Sequence, residues 1–460
     1  MTGAVEEFLA DIAGIAVASD DATIKLKSRD FFWFSPILKA QLEAKRARAI
    51  VRPANREELR RIMASACRHR VALTTRGGGT GNYGQSVPLD GGIVIETTGL
   101  DRLLANVPGL VTVEAGKMML DIDREIESSG FELRMFPSTR QHATIGGFVC
   151  GGAAGVGSCT WGQIGDPGAV QALRLMTMEE EPRELRLEGD EVMQAVHAYG
   201  VNGIVTEIDL PTAPLFPWAE QIVAFPSLIA AASFGQGLIE DQVIAKKLIS
   251  VHAPGIAPYL KRIAPLVGAD EAFAIIMTSE PQRPSVRRHI TRHGGRMAYE
   301  RDSEAARRAA FFHDGAMPPL YEYCWNHTTL HAIRLDPSIT YLQVLFPAGR
   351  NIERLAWAES AFAGEVFWHL EFQRRLGTFT NSSLPLVKFT TPERLFEIMA
   401  ILEDNGLQVA NPHIFTLEGK GWKRIKADQE GLKRQSDPYF LLNPGRLPSL
   451  EEAHRRQAAE

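Results

Sequence analysis

Two glycine-rich stretches predict the fold of this chain: VALTTRGGGTGNYGQS at residues 71–86 and PSTRQHATIGGFVCGGAAGVGSCTWGQIGD at residues 137–166. Residues 77–84 hold five glycines and residues 146–168 hold nine, so fourteen of the 40 glycines lie in two short segments. Glycine tolerates positive φ and lets another backbone approach closely. Consecutive glycines can also turn their N–H groups inward to form an anion-binding nest. The clustering therefore predicts a site where a large ligand lies directly on the backbone.

Gly79, Gly81 and Gly84 match the G-x-G-x-x-G pattern of dinucleotide-binding Rossmann folds. That fold requires a helix directly after the motif, whereas residues 85–92 (QSVPLDGG) lead into another predicted strand. No G-K-S/T follows the glycines, which argues against a phosphate-binding Walker loop. Two bland alternatives remain, namely a hairpin loop for the first stretch and close packing of loops in a core for the second.

Strand and helix patterns alternate around both stretches. Asn55 can cap a helix whose first turn is acidic, and residues 120–129 also have a helical pattern. Strands are predicted at 48–53, 71–75, 93–97, 110–115, 131–136, 170–178 and 203–210. Prolines at 211, 214 and 217 then indicate a domain boundary. Beyond it, helical patterns at 227–251 and 302–312 alternate with strands at 340–346 and 365–372.

Composition excludes several classes of protein. The chain has 460 residues, of which 45% are hydrophobic, and a net charge of −5. No basic field is available to hold nucleic acid. We expect no secretory signal, no transmembrane segment and a cytoplasmic location. The four cysteines show no metal-binding spacing and are predicted to be free thiols.

Two further motifs complete a pattern: YGVNGIVTEIDLPT at 199–212 and SDPYFLLNPGRL at 436–447. Together with the glycine stretches, they resemble the FAD-linked oxidoreductases of the vanillyl-alcohol oxidase and p-cresol methylhydroxylase type. Within that family, the chain is most similar to the branch that contains a glycolate oxidase subunit and the D-lactate and D-2-hydroxyglutarate dehydrogenases. The resemblance implies an α+β fold with a two-subdomain FAD-binding domain at 1–215. It also implies an α+β cap domain with an antiparallel sheet at 216–430, and a C-terminal return at 431–460.

The resemblance also implies which residues border FAD. Arg76 to Asn82 would hold the pyrophosphate, namely Arg76, Gly77, Gly78, Gly79, Thr80, Gly81 and Asn82. The second stretch would border the ribityl chain and the ring through Ser138, Thr139, Thr144, Gly146, Gly147, Gly151 and Gly155. Ile204 or Val205 would meet the adenine or the ring edge, and Asn443 and Arg446 would return near the isoalloxazine. A cation there stabilises the reduced anionic flavin, and Arg446 is the candidate.

Covalent attachment of the flavin is not expected. Relatives with a histidyl link often carry histidine where this chain has Thr80, and those with a cysteinyl link carry cysteine where it has His142. We therefore predict non-covalent FAD, although other subfamilies attach it from the cap domain.

The segment YEYCWNHTTLHAI at 321–333 supplies candidate catalytic groups. His327 and His331 are four residues apart and thus share one face, where they could act as base and substrate contact or bind a divalent metal. Metal-dependent relatives carry a longer G-H-x-G-D-G-N-L-H motif here and a later E-H-G. This chain instead has NPHIFTLEGKG at 411–421, in which His413 is a third candidate. His369 alternates with apolar residues and is interpreted as a core histidine.

These features predict an enzyme that takes a hydride from a hydroxyl-bearing carbon, most simply of a 2-hydroxy acid. An aromatic or other alcohol as substrate, and a flavin subunit of a larger redox complex, remain alternatives. An NADPH-dependent UDP-N-acetylenolpyruvoylglucosamine reductase is a third, disfavoured because those chains are shorter and lack the C-terminal motif. The electron acceptor would be oxygen, a quinone, a cytochrome or an electron-transfer flavoprotein, and a homodimer is possible.

Overall fold

The structure is a computed structural model that describes residues 2–152, 154–420 and 424–457. Its helices are α1 Thr2–Asp11, α2 Asp21–Lys27, α3 Pro36–Leu42, α4 Arg56–Arg68, α5 Met119–Ile126, α6 Ile145–Gly151, α7 Ser158–Trp161, α8 Leu228–Glu240, α9 Arg283–Arg292, α10 Ser303–Phe312, α11 Asn326–Leu335, α12 Asn351–Ala361, α13 Pro392–Asp404, α14 Ala427–Ser436 and α15 Pro448–Gln457. None of them, within these ranges, is long and apolar enough to cross a membrane.

The strands of the first half form two sheets. The first sheet has the order β1-β2-β4-β3, with β2 and β3 parallel to β4. Its strands are β1 Ala16–Ala18, β2 Ala49–Arg52, β3 Leu73–Arg76 and β4 Ile93–Glu96. The second sheet has the order β5-β6-β10-β8-β9, and β7 also pairs with β10. Its strands are β5 Leu103–Val107, β6 Leu110–Glu114, β7 Phe131–Leu133, β8 Ala172–Met176, β9 Glu184–Glu188 and β10 Ile204–Pro214.

The remaining strands form a large antiparallel sheet and a small one. The large sheet has the order β14-β11-β13-β12-β18-β19-β16-β21. Its strands are β11 Trp218–Phe225, β12 Lys246–His252, β13 Ala272–Ser279, β14 Arg296–Arg301, β16 Val344–Leu345, β18 His369–Arg375, β19 Thr378–Ser383 and β21 Gln408–Val409. The small sheet joins β15 Ile339–Tyr341, β20 Leu386–Lys388 and β17 Val366–Phe367. The predicted antiparallel sheet of the second half is thus confirmed.

One predicted element is wrong. The helical pattern assigned to 227–251 covers α8, which ends at Glu240, and then β12, whose seven residues are all buried. A short apolar run on a buried strand carries no alternation that distinguishes it from a helix. The sequence pattern therefore extended the helix across a central strand of the large sheet.

The C-terminal motif at 436–447 returns to the first sheet. The N–H of Leu73 in β3 donates to the carbonyl of Leu441 over 2.8 Å, and the N–H of Asn443 donates to the carbonyl of Leu73 over 2.7 Å. Leu73, the first residue of β3, is therefore held on one side by β4 and on the other by a segment nearly 370 residues later in the chain. This pairing fixes where the first glycine stretch begins.

Helix α4 follows the expected local rules and packs against the first sheet. Leu59, Ile62 and Met63 are fully buried in the core that contains β2, β3 and β4. The Asn55 side chain accepts a hydrogen bond of 2.9 Å from the N–H of Glu58, and the Glu58 carboxylate accepts one of 2.7 Å from Ala54. The predicted N-cap is thus confirmed.

Replacing Asn55 with alanine removes the acceptor for a first-turn N–H, so we expect helix α4 to lose about 1 kcal/mol of stability. Hydrogen exchange measured by mass spectrometry should show the first turn of α4 exchanging about fivefold faster. Asn55→Asp keeps an acceptor and should exchange like the wild type. Equal exchange in Asn55→Ala and wild type would contradict this role.

Candidate functional site

The first glycine stretch leaves the carboxyl end of β3 and contains no helix over residues 77–92. The Rossmann interpretation that the sequence disfavoured is therefore excluded by the local structure. The stretch lies directly against the second one. A Cβ built on Gly78 would overlap the backbone carbonyl of His142, and one built on Gly77 would overlap the Thr144 hydroxyl. Glycine is required here because of this close approach.

The second glycine stretch forms helix α6 and packs on the second sheet. Thr144 caps α6, since its hydroxyl accepts a hydrogen bond of 3.2 Å from the N–H of Gly147. A Cβ on Gly146 would lie 2.7 Å from the carbonyl oxygen of Ala115, at the end of β6. Thr144 therefore contacts the first stretch while Gly146 contacts the second sheet, and α6 is fixed between the two.

A cleft runs between the two sheets along these glycines. Eleven of the predicted FAD-binding residues line it, namely Gly77, Gly78, Gly79, Thr80, Gly81, Thr144, Gly146, Gly147, Gly151, Ile204 and Val205. Further lining residues include Asp30, Thr75, Gln85, Ser86, Thr97, Ala115, Cys150, Tyr199, Gly200 and Gly203. The structure thus brings the first, second and third sequence motifs onto one cavity.

Several cleft residues carry polar atoms that the protein leaves unused. Asp30 Oδ2 and Thr75 Oγ1 line the cleft, are buried and have no hydrogen-bond partner among the described residues. Nearby, Arg76 Nε and Asn82 Nδ2 are in the same condition. Buried polar groups are normally paired, so these atoms fit a polar ligand. An extended FAD carries polar groups on its phosphates, its ribityl chain and its ring. A cleft that is lined by glycine backbone and has unpaired polar atoms nearby therefore fits this cofactor.

Two buried arginines, Arg446 and Arg76, form hydrogen bonds with residues of the first stretch and next to it. The Arg446 guanidinium donates to the carbonyls of Gly84 and Val87 over 2.5 and 2.7 Å, and burial lowers its pKa to about 10. The Arg76 guanidinium donates to the carbonyl of Arg29 and, over 3.3 Å, to Ser86 Oγ. Neither arginine is among the residues that line the cleft. The flavin contacts predicted for them stay predictions.

The other predicted FAD residues lie beside the cleft rather than on its wall. Asn443 links three segments, because its side chain accepts from the N–H of Thr75 over 3.2 Å and donates to the carbonyl of Tyr199. Ser138 is buried, and the carbonyl of Thr139 accepts from His142 and Ala143 in a tight turn. Gly155 lies against the backbone of Phe136. Their roles toward FAD stay predictions.

Asp30 is a site residue that the sequence interpretation missed. Burial raises the pKa of its carboxyl to about 6, although the positive charges of Arg446 and Arg76 oppose the shift. Its other oxygen accepts from the N–H of Phe32 over 2.9 Å. No local motif marks an isolated aspartate before an aromatic run. Tyr199 and Gly200 were also not singled out, although they stand in the quoted third motif.

His327 and His331 lie on α11 and are half-buried, and a spacing of four residues puts both on the same face of that helix. Burial, together with the electrostatic influence of His331, Arg334 and His142, lowers the pKa of His327 to about 4. His142 belongs to the second glycine stretch, so this stretch has an electrostatic influence on α11. Burial also lowers the pKa of His331, whose ring stacks on Tyr323 at 5.1 Å between centroids. Both imidazoles are neutral at pH 7.

His413 and His369 lie outside α11, and each forms hydrogen bonds with other protein groups. Both ring nitrogens of His413 are hydrogen-bonded, Nδ1 to Ser35 Oγ over 2.7 Å and Nε2 to the carbonyl of Tyr341 over 3.0 Å. It joins two segments of the protein, and its predicted catalytic role stays a prediction. His369 is fully buried and its Nε2 lies 2.8 Å from Glu371 Oε1. Among the described residues, no group of three or more His, Cys, Asp and Glu side chains is arranged to hold a metal ion.

Comparison with known proteins agrees with this site. Residues 47–186 match the family model of the FAD binding domain. Glycolate oxidase subunit GlcD of Bacillus subtilis (strain 168) is 31% identical over 221 residues, which cover 45% of this chain and 46% of that protein. A D-lactate dehydrogenase of Archaeoglobus fulgidus is 26% identical over 190 residues, covering 39% and 42%. The aligned regions thus span less than half the length of these curated relatives.

Two solved structures share the fold. An alkyldihydroxyacetonephosphate synthase has a TM-score of 0.71 at 16% identity and covers 96% of this chain and 86% of its own. A variant of the BBE-like 1 protein of Physcomitrella patens has a TM-score of 0.67 at 12% identity and covers 95% and 97%. The chain therefore has an FAD-binding domain in a fold of the vanillyl-alcohol oxidase and p-cresol methylhydroxylase type, as its motifs indicated.

Gly78 offers a direct test of the cleft. In Gly78→Ala, the new Cβ would overlap the His142 carbonyl, which is backbone and cannot rotate away. We expect the two stretches to move apart and the purified protein to lose most of its bound FAD, as measured from the flavin absorbance per chain. Gly165→Ala, where an added Cβ meets nothing within 4 Å, is the matched control. Full flavin content in Gly78→Ala would contradict the predicted location of FAD.

Proposed function

We propose that this protein is an FAD-dependent oxidoreductase that takes a hydride from the hydroxyl-bearing carbon of a 2-hydroxy acid. The observation that carries the proposal is the pair of neutral histidines on α11, of which His327 is coupled electrostatically to His142 of the second glycine stretch. The named activities of relatives, a glycolate oxidase subunit and dehydrogenases of D-lactate and D-2-hydroxyglutarate, support the substrate class.

In this proposal the predicted residues of the three motifs hold FAD without a covalent bond. FAD, when bound, supplies the hydride acceptor. The glycine N–H groups and Thr80 bind the pyrophosphate, and α6 holds the ribityl side. Asp30 Oδ2 and Thr75 Oγ1 provide polar contacts that the protein itself does not satisfy. Release of free FAD on acid precipitation would test the non-covalent attachment.

His327 is the proposed base. A hydride leaves an alcohol carbon readily only when the hydroxyl proton is removed, and a neutral imidazole can accept that proton. The positive charge of Arg334, which contributes to the low pKa of His327, favours an anion beside it. A substrate carboxylate would offset that charge and thereby raise the basicity of His327 in the complex. His331, held against Tyr323, is the proposed substrate contact.

The proposal has consequences for organisation and location. Residues 1–215 would form the FAD-binding domain, 216–430 the cap and 431–460 the return segment. The four cysteines are free in the structure and three are buried, which fits a reducing compartment such as the cytoplasm. The acceptor that reoxidises the flavin would be oxygen, a quinone, a cytochrome or an electron-transfer flavoprotein.

The decisive experiment is anaerobic mixing of the FAD-loaded protein with D- and L-2-hydroxy acids and with aromatic and aliphatic alcohols. Loss of the oxidised flavin absorbance identifies the substrate class and stereochemistry. We expect bleaching by a 2-hydroxy acid. Bleaching by alcohols alone would reject the proposed substrate class, and no FAD binding would reject the proposal as a whole.

His327→Gln keeps a hydrogen-bonding side chain but removes the base, so we expect anaerobic flavin reduction to slow by about 100-fold or more. FAD content should stay at the wild-type level because His327 is not in the cleft wall. His293→Gln, a change of a histidine that packs against Phe234 of α8, is the matched control. Unchanged reduction in His327→Gln would remove it from the mechanism.

The low pKa of His327 determines how kcat/KM for substrate oxidation should depend on pH. The base acts in its neutral form, so kcat/KM should stay level near neutral pH and fall as the pH drops toward about 4. Because the charge of His331 lowers this pKa, His331→Gln should move the acid limb to higher pH. His293→Gln should leave it in place. An acid limb that does not move in His331→Gln would contradict the coupling between the two histidines.

A further inference from the structure

A second cavity, of about 440 Å³, lies apart from the glycine cleft and has no lining residue in common with it. It is lined by α5, by β7 and the turn after it, by residues 215–218, by β11, β12 and β13 of the large sheet, and by α10. Six aromatic rings line it, those of Phe131, Phe136, Phe216, Trp218, Phe311 and Tyr321. We call it the aromatic cavity. Its volume falls in the range of small-molecule sites.

The charged groups of the aromatic cavity are paired within the protein. Lys247 Nζ lies 2.8 Å from Glu132 Oε2, and the three other ion pairs are Arg140 with Asp123, Arg301 with Glu220, and Arg307 with Glu127. Glu304 is exposed to solvent. A buried charge is costly unless it has a partner. A charged ligand would find its counter-ion already engaged, so these walls favour a molecule without formal charge.

One buried donor remains available. Arg140 is 6% exposed, and its Nε–H has no acceptor among the residues that the structure describes. The guanidinium lies between the rings of Phe136 and Phe311, at 4.2 and 5.1 Å from their centroids. Tyr321 adds a neutral hydroxyl, because burial raises its pKa to about 12. A single polar position in an aromatic environment suits one hydrogen-bond acceptor on an otherwise apolar molecule.

We propose that the aromatic cavity is a second ligand site, which binds an uncharged, largely apolar small molecule through one hydrogen-bond acceptor near Arg140. This site is independent of the proposed flavin chemistry. Phe136 and Arg140 flank the start of the second glycine stretch, so a ligand in the aromatic cavity contacts the same segment that borders the cleft.

The test compares methyl 2-naphthoate with 2-naphthoate at pH 7, by titration calorimetry on the full chain with FAD in excess. The two probes share the ring and the carbonyl and differ in charge. We expect the ester to bind at one site at least about tenfold more tightly than the carboxylate. Absence of ester binding, or equal affinity for the carboxylate, would overturn the proposal.

A cavity-filling variant locates the binding. Ala310 of α10 is 9% exposed and lines the aromatic cavity, so Ala310→Trp should weaken ester binding by about tenfold or more. Ala305 is an exposed alanine of the same helix that does not line it, and Ala305→Trp should bind like the wild type. Ester binding that survives in Ala310→Trp would overturn the location. If circular dichroism shows Ala310→Trp unfolded, the smaller change Ala306→Leu decides in the same way.

Discussion

The close approach of Gly78 to the carbonyl of His142 is the contact on which the whole cleft depends. It brings the loop after β3 of the first sheet against the turn before α6, the helix that contacts the second sheet through Gly146. A side chain at this point would push the two sheets apart. The predicted flavin residues from both stretches can face one cavity only because this contact holds them within a single ligand's width.

The buried arginines explain how such a loop can bind a ligand with its backbone. Carbonyls and N–H groups of a buried loop must both be paired. Arg446 donates to the carbonyls of Gly84, Gln85 and Val87, and Arg76 donates to the carbonyl of Arg29, so these oxygens are paired within the protein. Asp30 lies close enough to both cations for each to lower its pKa. Arg446 and Arg76 therefore hold residues 84–87 in place and join them to the segment around Asp30.

The sequence predicted the parts of the fold that follow local rules. Asn55 as a cap, the strands around the glycines, the missing helix after Gly84 and the shared face of His327 and His331 all depend on residues a few positions apart. The wrong prediction at 246–251 concerned a buried strand, where helix and strand patterns look alike. Asp30 was missed because its importance comes from Arg76 and Arg446, which fold next to it from distant parts of the chain. Such long-range pairing leaves no periodic signal.

The glycine cleft and the aromatic cavity differ in which polar groups they leave unpaired, and that difference sets what each can bind. Around the glycine cleft, a carboxylate oxygen, a hydroxyl and two side-chain nitrogens remain without partners in the described part of the chain, so a ligand with many polar groups gains from entering. In the aromatic cavity the ion pairs are complete and one N–H is left. Burial of an apolar surface is then the main gain for a ligand. A polar cofactor would lose hydrogen bonds if it bound in the aromatic cavity instead of the glycine cleft. An apolar small molecule would bury less of its surface against apolar side chains in the cleft. Each would therefore prefer its own site.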